Sequence, residues 1–112
     1  MAFRVEVTAR AQADILEVFD WIREQAPAAA HAWYLGLFEK LSTLAVNPKR
    51  CSRAPESDIV GREIRQLYYG KRSHDWFRAL FDIKDESVRV LRVRRCSQRE
   101  LPPKDLSDDV DG

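Results

Sequence analysis

Cysteine and histidine are scarce in this 112-residue chain: Cys51, Cys96, His31 and His74 are all it has. These four share no metal-ligand spacing, which argues against a zinc site, and no metal or other cofactor is expected. Two cysteines are too few for a disulfide scaffold, and both read as reduced side chains without an assigned role. No apolar run approaches the length of a membrane span. The opening MAFRVEVTARAQ lacks the long apolar stretch of a secretion signal, so the expected location is the cytoplasm. Low-complexity sequence is also nearly missing, which argues against general disorder.

Excess charge of one sign is missing only on average. Net charge is +1, yet residues 1–47 sum to −2, residues 48–104 to +7 and residues 105–112 to −4. A basic second half between an acidic helical half and an acidic tail suits an anionic partner. Hydrophobic residues make up 45% of the chain and charged residues 33%, enough apolar material for one core. The expectation is a single domain over residues 1–104, followed by a short, disordered acidic tail over 105–112.

Period-two alternation of Phe3, Val5 and Val7 with Arg4, Glu6 and Thr8 predicts a half-buried strand. From Ala9 the period becomes helical. Ala11, Ile15, Val18, Phe19, Trp21, Ile22 and Ala26 recur on one side, and Arg10, Asp14, Glu17, Asp20 and Glu24 on the other. Thr8 is the expected N-cap, and Pro27 suits the first turn of a second helix. That helix carries Ala30, Trp33, Tyr34, Leu37, Phe38, Leu41, Leu44 and Ala45 and stops at Asn47 and Pro48. PKRCSRAPESD reads as a loop, and three strands are expected at Val60 to Tyr69, Trp76 to Lys84 and Val88 to Arg95.

The implied architecture is α+β: an N-terminal strand, an antiparallel helical hairpin, then a three-stranded antiparallel meander, with both helices on one sheet face. The opposite face is expected to be open. In the third strand candidate Phe77, Ala79, Phe81 and Ile83 should face the helices, leaving Trp76, Arg78, Leu80 and Asp82 on the open face. SVRVLRVRRC has no cleanly apolar side, which points to a bulge or to arginine stems used for packing. In REIRQLYY either Ile64 and Tyr68 or Leu67 and Tyr69 face the helices, which leaves the direction of Arg65 open.

The segments ARAQADILEVFDWIREQAP, AAHAWYLGLFEKLSTLAVNP, PKRCSRAPE, GREIRQLYYGKR and WFRALFDIKDESVRVLRV, in this order and spacing, resemble the RelE/ParE superfamily. These are the plasmid-stabilisation toxins of bacterial type II toxin-antitoxin modules, and the resemblance covers residues 3 to about 99. It implies a compact α+β domain, growth inhibition, and a cognate antitoxin that wraps a helix and an extended segment around the toxin in a hetero-oligomer. Trp21 and Trp33 are the candidates for the antitoxin groove, against a simpler role in packing.

Within the superfamily, RelE-like members cut mRNA in the ribosome, whereas ParE-like members inhibit DNA gyrase and cleave nothing. RNA cleavage needs a general base, a general acid and cations around the phosphate. The resemblance places Arg65 and Arg78 at sheet-face basic positions, and His74 is the one nearby residue that titrates near neutrality. These three would be catalytic only in an endoribonuclease. Arg92, Arg94, Arg95 and Arg99, with Trp76 for stacking, are the candidates for target binding. RRCSQRELPPKDL lacks the Tyr or His that many mRNA-cutting members carry near the C-terminus. The reading therefore leans to a gyrase inhibitor, with a ribosome-dependent endoribonuclease as the alternative and a nontoxic binding module as the second. For the arginines, the plain alternative is a solvated strand face bridged to Asp82, Asp85 and Glu86.

Overall fold

A computed structural model describes residues 2–70 and 77–95. His74, Trp76, Cys96, Arg99 and the tail over 105–112 lie outside the described residues. Strand β1 spans Arg4–Val7, helix α1 Ala9–Gln25, helix α2 Pro27–Ser42 and the short helix α3 Glu56–Val60. Strands β2 at Arg65–Tyr69, β3 at Phe77–Lys84 and β4 at Ser87–Arg95 complete one sheet, in the order β1-β4-β3-β2. The last three strands form the expected antiparallel meander, and β1 adds to β4 in parallel, Val5 opposite Val88 and Val7 opposite Val90.

Thr8 turns the chain from strand to helix. Its Oγ1 accepts from Ala11 N–H at 3.2 Å, the expected N-cap bond, and donates to the Val90 carbonyl at 2.9 Å. One side chain thus starts α1 and ties it to β4. Ala26, in a non-helical conformation at φ −156° and ψ 86°, separates the two helices, and Pro27 opens α2. α2 ends at Ser42, earlier than the apolar stripe suggests, and Leu44 and Ala45 fall in a tight turn over Thr43–Ala45. Asn47 then takes a left-handed conformation, φ 48°, before Pro48.

The hairpin packs on one sheet face. Ala11, Ile15, Leu37, Leu41 and Leu44 meet Leu67, Ala79, Phe81, Val88, Val90 and Val93, all buried, with Val5, Val7 and Ile83 at the margin. Each fully buried aliphatic or aromatic side chain here contributes about 1.5–3 kcal/mol. Leu67 and Tyr69, not Ile64 and Tyr68, are the members of β2 that face the helices.

The bulge lies within β4. Phe81 stands opposite Val90 and Leu80 opposite Arg92, so Leu91 is the extra residue. The shift sends Leu91 to the far face and returns Val93 to the helix side, which explains why neither side of SVRVLRVRRC reads as apolar.

The far face departs from expectation: it is covered. Residues 53–64, expected as a loop and the start of a strand, form a strap across it that contains α3. Ala54, Ile64, Leu80 and Leu91 make a second, smaller core beneath the strap. Ala54 N–H donates to the Ile64 carbonyl at 2.7 Å, and the Ser57 hydroxyl both donates to that carbonyl and accepts from Ile64 N–H, at 2.7 and 2.8 Å. Gly61, at φ 76°, lets the strap reverse after α3.

Candidate functional site

Arg78 points to the far face as alternation requires, but it is 6% exposed and its guanidinium is held by Glu56, itself 0% exposed. Nη1 donates to Glu56 Oε1 at 2.8 Å and to Gln66 Oε1 at 3.2 Å, while Nη2 donates to Glu56 Oε2. A buried Arg bonded at both carboxylate oxygens is a closed ion pair, and opening it costs the desolvation of both charges. The expected open, solvent-facing Arg78 is therefore corrected.

Arg65 lies on the opposite face. It pairs with Phe81 across the ladder, a helix-side residue, and directly paired residues share a face. Its guanidinium donates to the carbonyls of Lys49 and Cys51, at 3.0 and 2.6 Å, and to Glu63 at 3.0 Å, which fastens the chain after α2 to the sheet. Arg65 and Arg78 do not converge, and the shared basic surface expected of them is not formed.

The other arginines divide in the same way. Arg92 makes two bonds to Asp14 of α1, at 2.7 and 3.0 Å, and Asp14 also accepts from Val93 N–H at 2.9 Å. Asp14 is thus a bridge to β4 and not part of a solvated helix side. Arg94 shares the far face with Arg78, its ladder partner. Burial, reinforced by the neighbouring Arg92 and Arg78 guanidiniums and opposed by Asp14 and Glu56, holds Arg94 below the ordinary arginine value. Asp82, also buried, takes Arg62 and Arg89, the latter through Nε at 2.8 Å. The plain reading of these strand arginines as partners of Asp82 holds for Arg89, although its site is desolvated and not solvated.

A different surface gathers four aromatics, from half-exposed Trp21 to buried Phe77. Trp21, Ile22, Ala29, Ala32, Trp33, Tyr69, Gly70 and Phe77 line an apolar groove of about 330 Å³ where the turn of the helical hairpin meets the end of β2 and the start of β3. Trp21 is 46% exposed, and the Arg95 guanidinium sits 4.3 Å from its ring centroid. Arg95 is thereby turned to the helix side, away from Arg92 and Arg94, in a contact of about 0.5–1 kcal/mol. Trp33 meets Tyr69 and Phe77 edge to face, with ring centroids at 6.3 and 5.3 Å. Both predicted antitoxin-groove tryptophans therefore stand in one groove. Tyr69 and Phe77 are groove residues that sequence reasoning missed; alternation on β3 places Phe77 with the core, the register of Tyr69 on β2 is open in the sequence, and neither pattern marks where the core stops.

Chemically, the groove offers apolar area and the arginine face offers paired charge. The carboxylates that flank the described arginines, Glu56, Glu63, Asp14 and Asp82, are each engaged by a guanidinium. His31 sits on α2 with its ring edge-on to Phe19 at 5.8 Å. No group of three or more His, Cys, Asp or Glu side chains among the described residues could hold a metal ion, and no described helix is long and apolar enough to cross a membrane.

Comparison with solved structures finds a chain from a chromosomal ParDE toxin-antitoxin system of P. aeruginosa at TM-score 0.66 and 21% identity. The match covers 84% of this chain and 96% of that one. At that identity the match speaks to the fold. Comparison with curated proteins finds no match. A family model described as the ParE toxin of the type II toxin-antitoxin system parDE matches residues 5–100. With that match spanning most of its length, the chain belongs to the ParE toxin family of type II toxin-antitoxin systems.

Proposed function

We propose that this protein is a growth-inhibiting toxin that acts by binding, with DNA gyrase as its target, and that a cognate antitoxin neutralises it by docking in the Trp21–Trp33 groove. The observation that carries the non-cleaving reading is the separation of Arg65 and Arg78 to opposite sheet faces, each occupied by bonds within the chain. Phosphodiester cleavage needs cations and proton-transfer groups around one phosphate, and a pair split by the thickness of a sheet cannot surround it. The groove supports the antitoxin reading because two indoles and a tyrosine with little polar lining form the kind of surface that a partner's apolar side chains fill.

Two assays on induced and purified protein test the activity. In a supercoiling assay the protein should inhibit gyrase, while primer extension on mRNA from induced cells should show intact transcripts. Codon-aligned cuts that vanish on Arg78→Lys, with supercoiling untouched, would overturn the proposal.

A further inference from the structure

Gly36 stands in the middle of α2, where glycine is among the poorest helix formers. Its reason lies across the interface. A Cβ at position 36 would come 2.3 Å from the Tyr69 hydroxyl oxygen and 3.3 Å from Tyr69 Cζ. Only a residue without a side chain leaves room for the phenol to reach the helix backbone. There the Tyr69 hydroxyl donates to the Trp33 carbonyl at 3.0 Å, one turn before Gly36.

Trp33 and Tyr69 are both groove walls, and Phe77 packs against Trp33 from the sheet. We propose that Gly36 and Tyr69 form a latch that presets this groove for an amphipathic helix of the antitoxin. The inference rests on the antitoxin reading of the groove and adds the residues that set its shape. A helix is the occupant that fits, because Ala29 and Ala32 offer only methyl groups on the α2 side and allow close backbone approach, while the Trp21 and Trp33 indoles flank apolar anchors. A groove fixed before binding spares the complex the loss of rotamer freedom in its aromatic walls. Gly36 is thus a positioning residue that acts through Tyr69 and Trp33, whereas Tyr69 is both part of the latch and a wall of the groove.

The test is isothermal titration of the antitoxin encoded beside this gene into the parent protein and four variants, at a temperature where each is folded. Gly36→Ala should weaken binding at least tenfold, and Tyr69→Phe, which loses only the hydroxyl, about threefold. In the Gly36→Ala/Tyr69→Phe double variant the clashing oxygen is gone, so affinity should return to within about threefold of Tyr69→Phe. Trp21→Ala is the control for the groove and should weaken binding at least tenfold.

Parent-like affinity for Gly36→Ala, with Trp21→Ala impaired, overturns the latch and leaves the groove reading standing. A Gly36→Ala loss that the double variant does not recover also overturns it. Parent-like affinity for Trp21→Ala removes the groove reading itself. Should Gly36→Ala fail to fold, the double variant must fold and bind like Tyr69→Phe, and a double variant that also fails overturns the proposal. Sedimentation of the parent alone as a dimer that Trp21→Ala dissociates would assign the groove to a second copy and overturn the antitoxin as occupant.

Discussion

The two faces of the sheet are closed by opposite means. On the helix side a large apolar core runs out before the hairpin ends, and the excess aromatic surface is left as a groove. On the far side a small apolar core is finished by ion pairs, Arg78 with Glu56 and Asp82 with Arg62 and Arg89. Charge density in the sequence is therefore a poor guide to which arginines are accessible here. Among the described residues Arg78, Arg89 and Arg92 are held by Glu56, Asp82 and Asp14, while the lining of the groove is apolar.

The contrast predicts different responses to mutation. The largest effect is expected on the far face: Arg78→Ala removes the guanidinium that holds both oxygens of the buried Glu56 carboxylate and should cost about 3–5 kcal/mol in urea unfolding. Replacing both partners by Arg78→Met with Glu56→Leu should recover most of that loss, because neither member of the pair is then left as a buried charge without the other. A small loss for Arg78→Ala would mean that the pair is open to water, and the two faces would then not differ as described. The groove should behave in the reverse sense. Trp21→Ala should change stability by about 1 kcal/mol or less, since the ring is nearly half exposed, while weakening antitoxin binding as above.

Between the faces stands Thr8, which joins the start of α1 to the strand that carries the bulge. Thr8→Ala should cost about 1–2 kcal/mol, and Thr8→Ser, which keeps the hydroxyl, much less. Equal losses from both would show that the methyl group and not the hydroxyl matters.

The smallest effect is a slope with pH. Burial pushes the Cys51 thiol up, against Arg50, Arg65 and Lys40, and pushes the Tyr69 phenol up with help from Glu39. Both groups hold their protons longer folded than unfolded, so the unfolded state binds fewer protons and stability should fall as pH rises through the ordinary thiol and phenol range. Urea midpoints should therefore decline from about pH 8 to pH 10. Cys51→Ala and Tyr69→Phe should each flatten the decline relative to the parent, and an unchanged slope in both would assign it elsewhere.

Much of the helix face is legible in the chain. The alternation through Val5 and Val7, the helical recurrence from Ala11 to Ile22, the Thr8 cap and the Pro27 start all reflect local periodicity or local hydrogen bonding, and each stands where that logic puts it, while Ala26 falls just past the end of α1. The orientation of Phe77, Ala79 and Phe81 follows from the same rule. The far face fails for physical reasons that are just as local. Glu56 is a residue type that belongs on surfaces, and nothing in its neighbourhood announces a buried partner 22 residues away. α3 has five residues and too little periodicity to register as a helix. A bulge at Leu91 reverses the alternation that fixes side-chain direction, and Arg65 sits in a strand where two apolar registers are equally good until Leu67 and Tyr69 are seen against the helices.

The account's central claim is that the apolar groove, and not the arginine face, receives the antitoxin, and hydrogen–deuterium exchange on the free protein and its antitoxin complex tests it most directly. Protection on binding should concentrate at residues 21–33 and around Tyr69 and Gly70, with the strap at residues 53–64 unchanged. Protection across the strap and along Arg92 to Arg95, with the hairpin end exchanging as in the free protein, would contradict it.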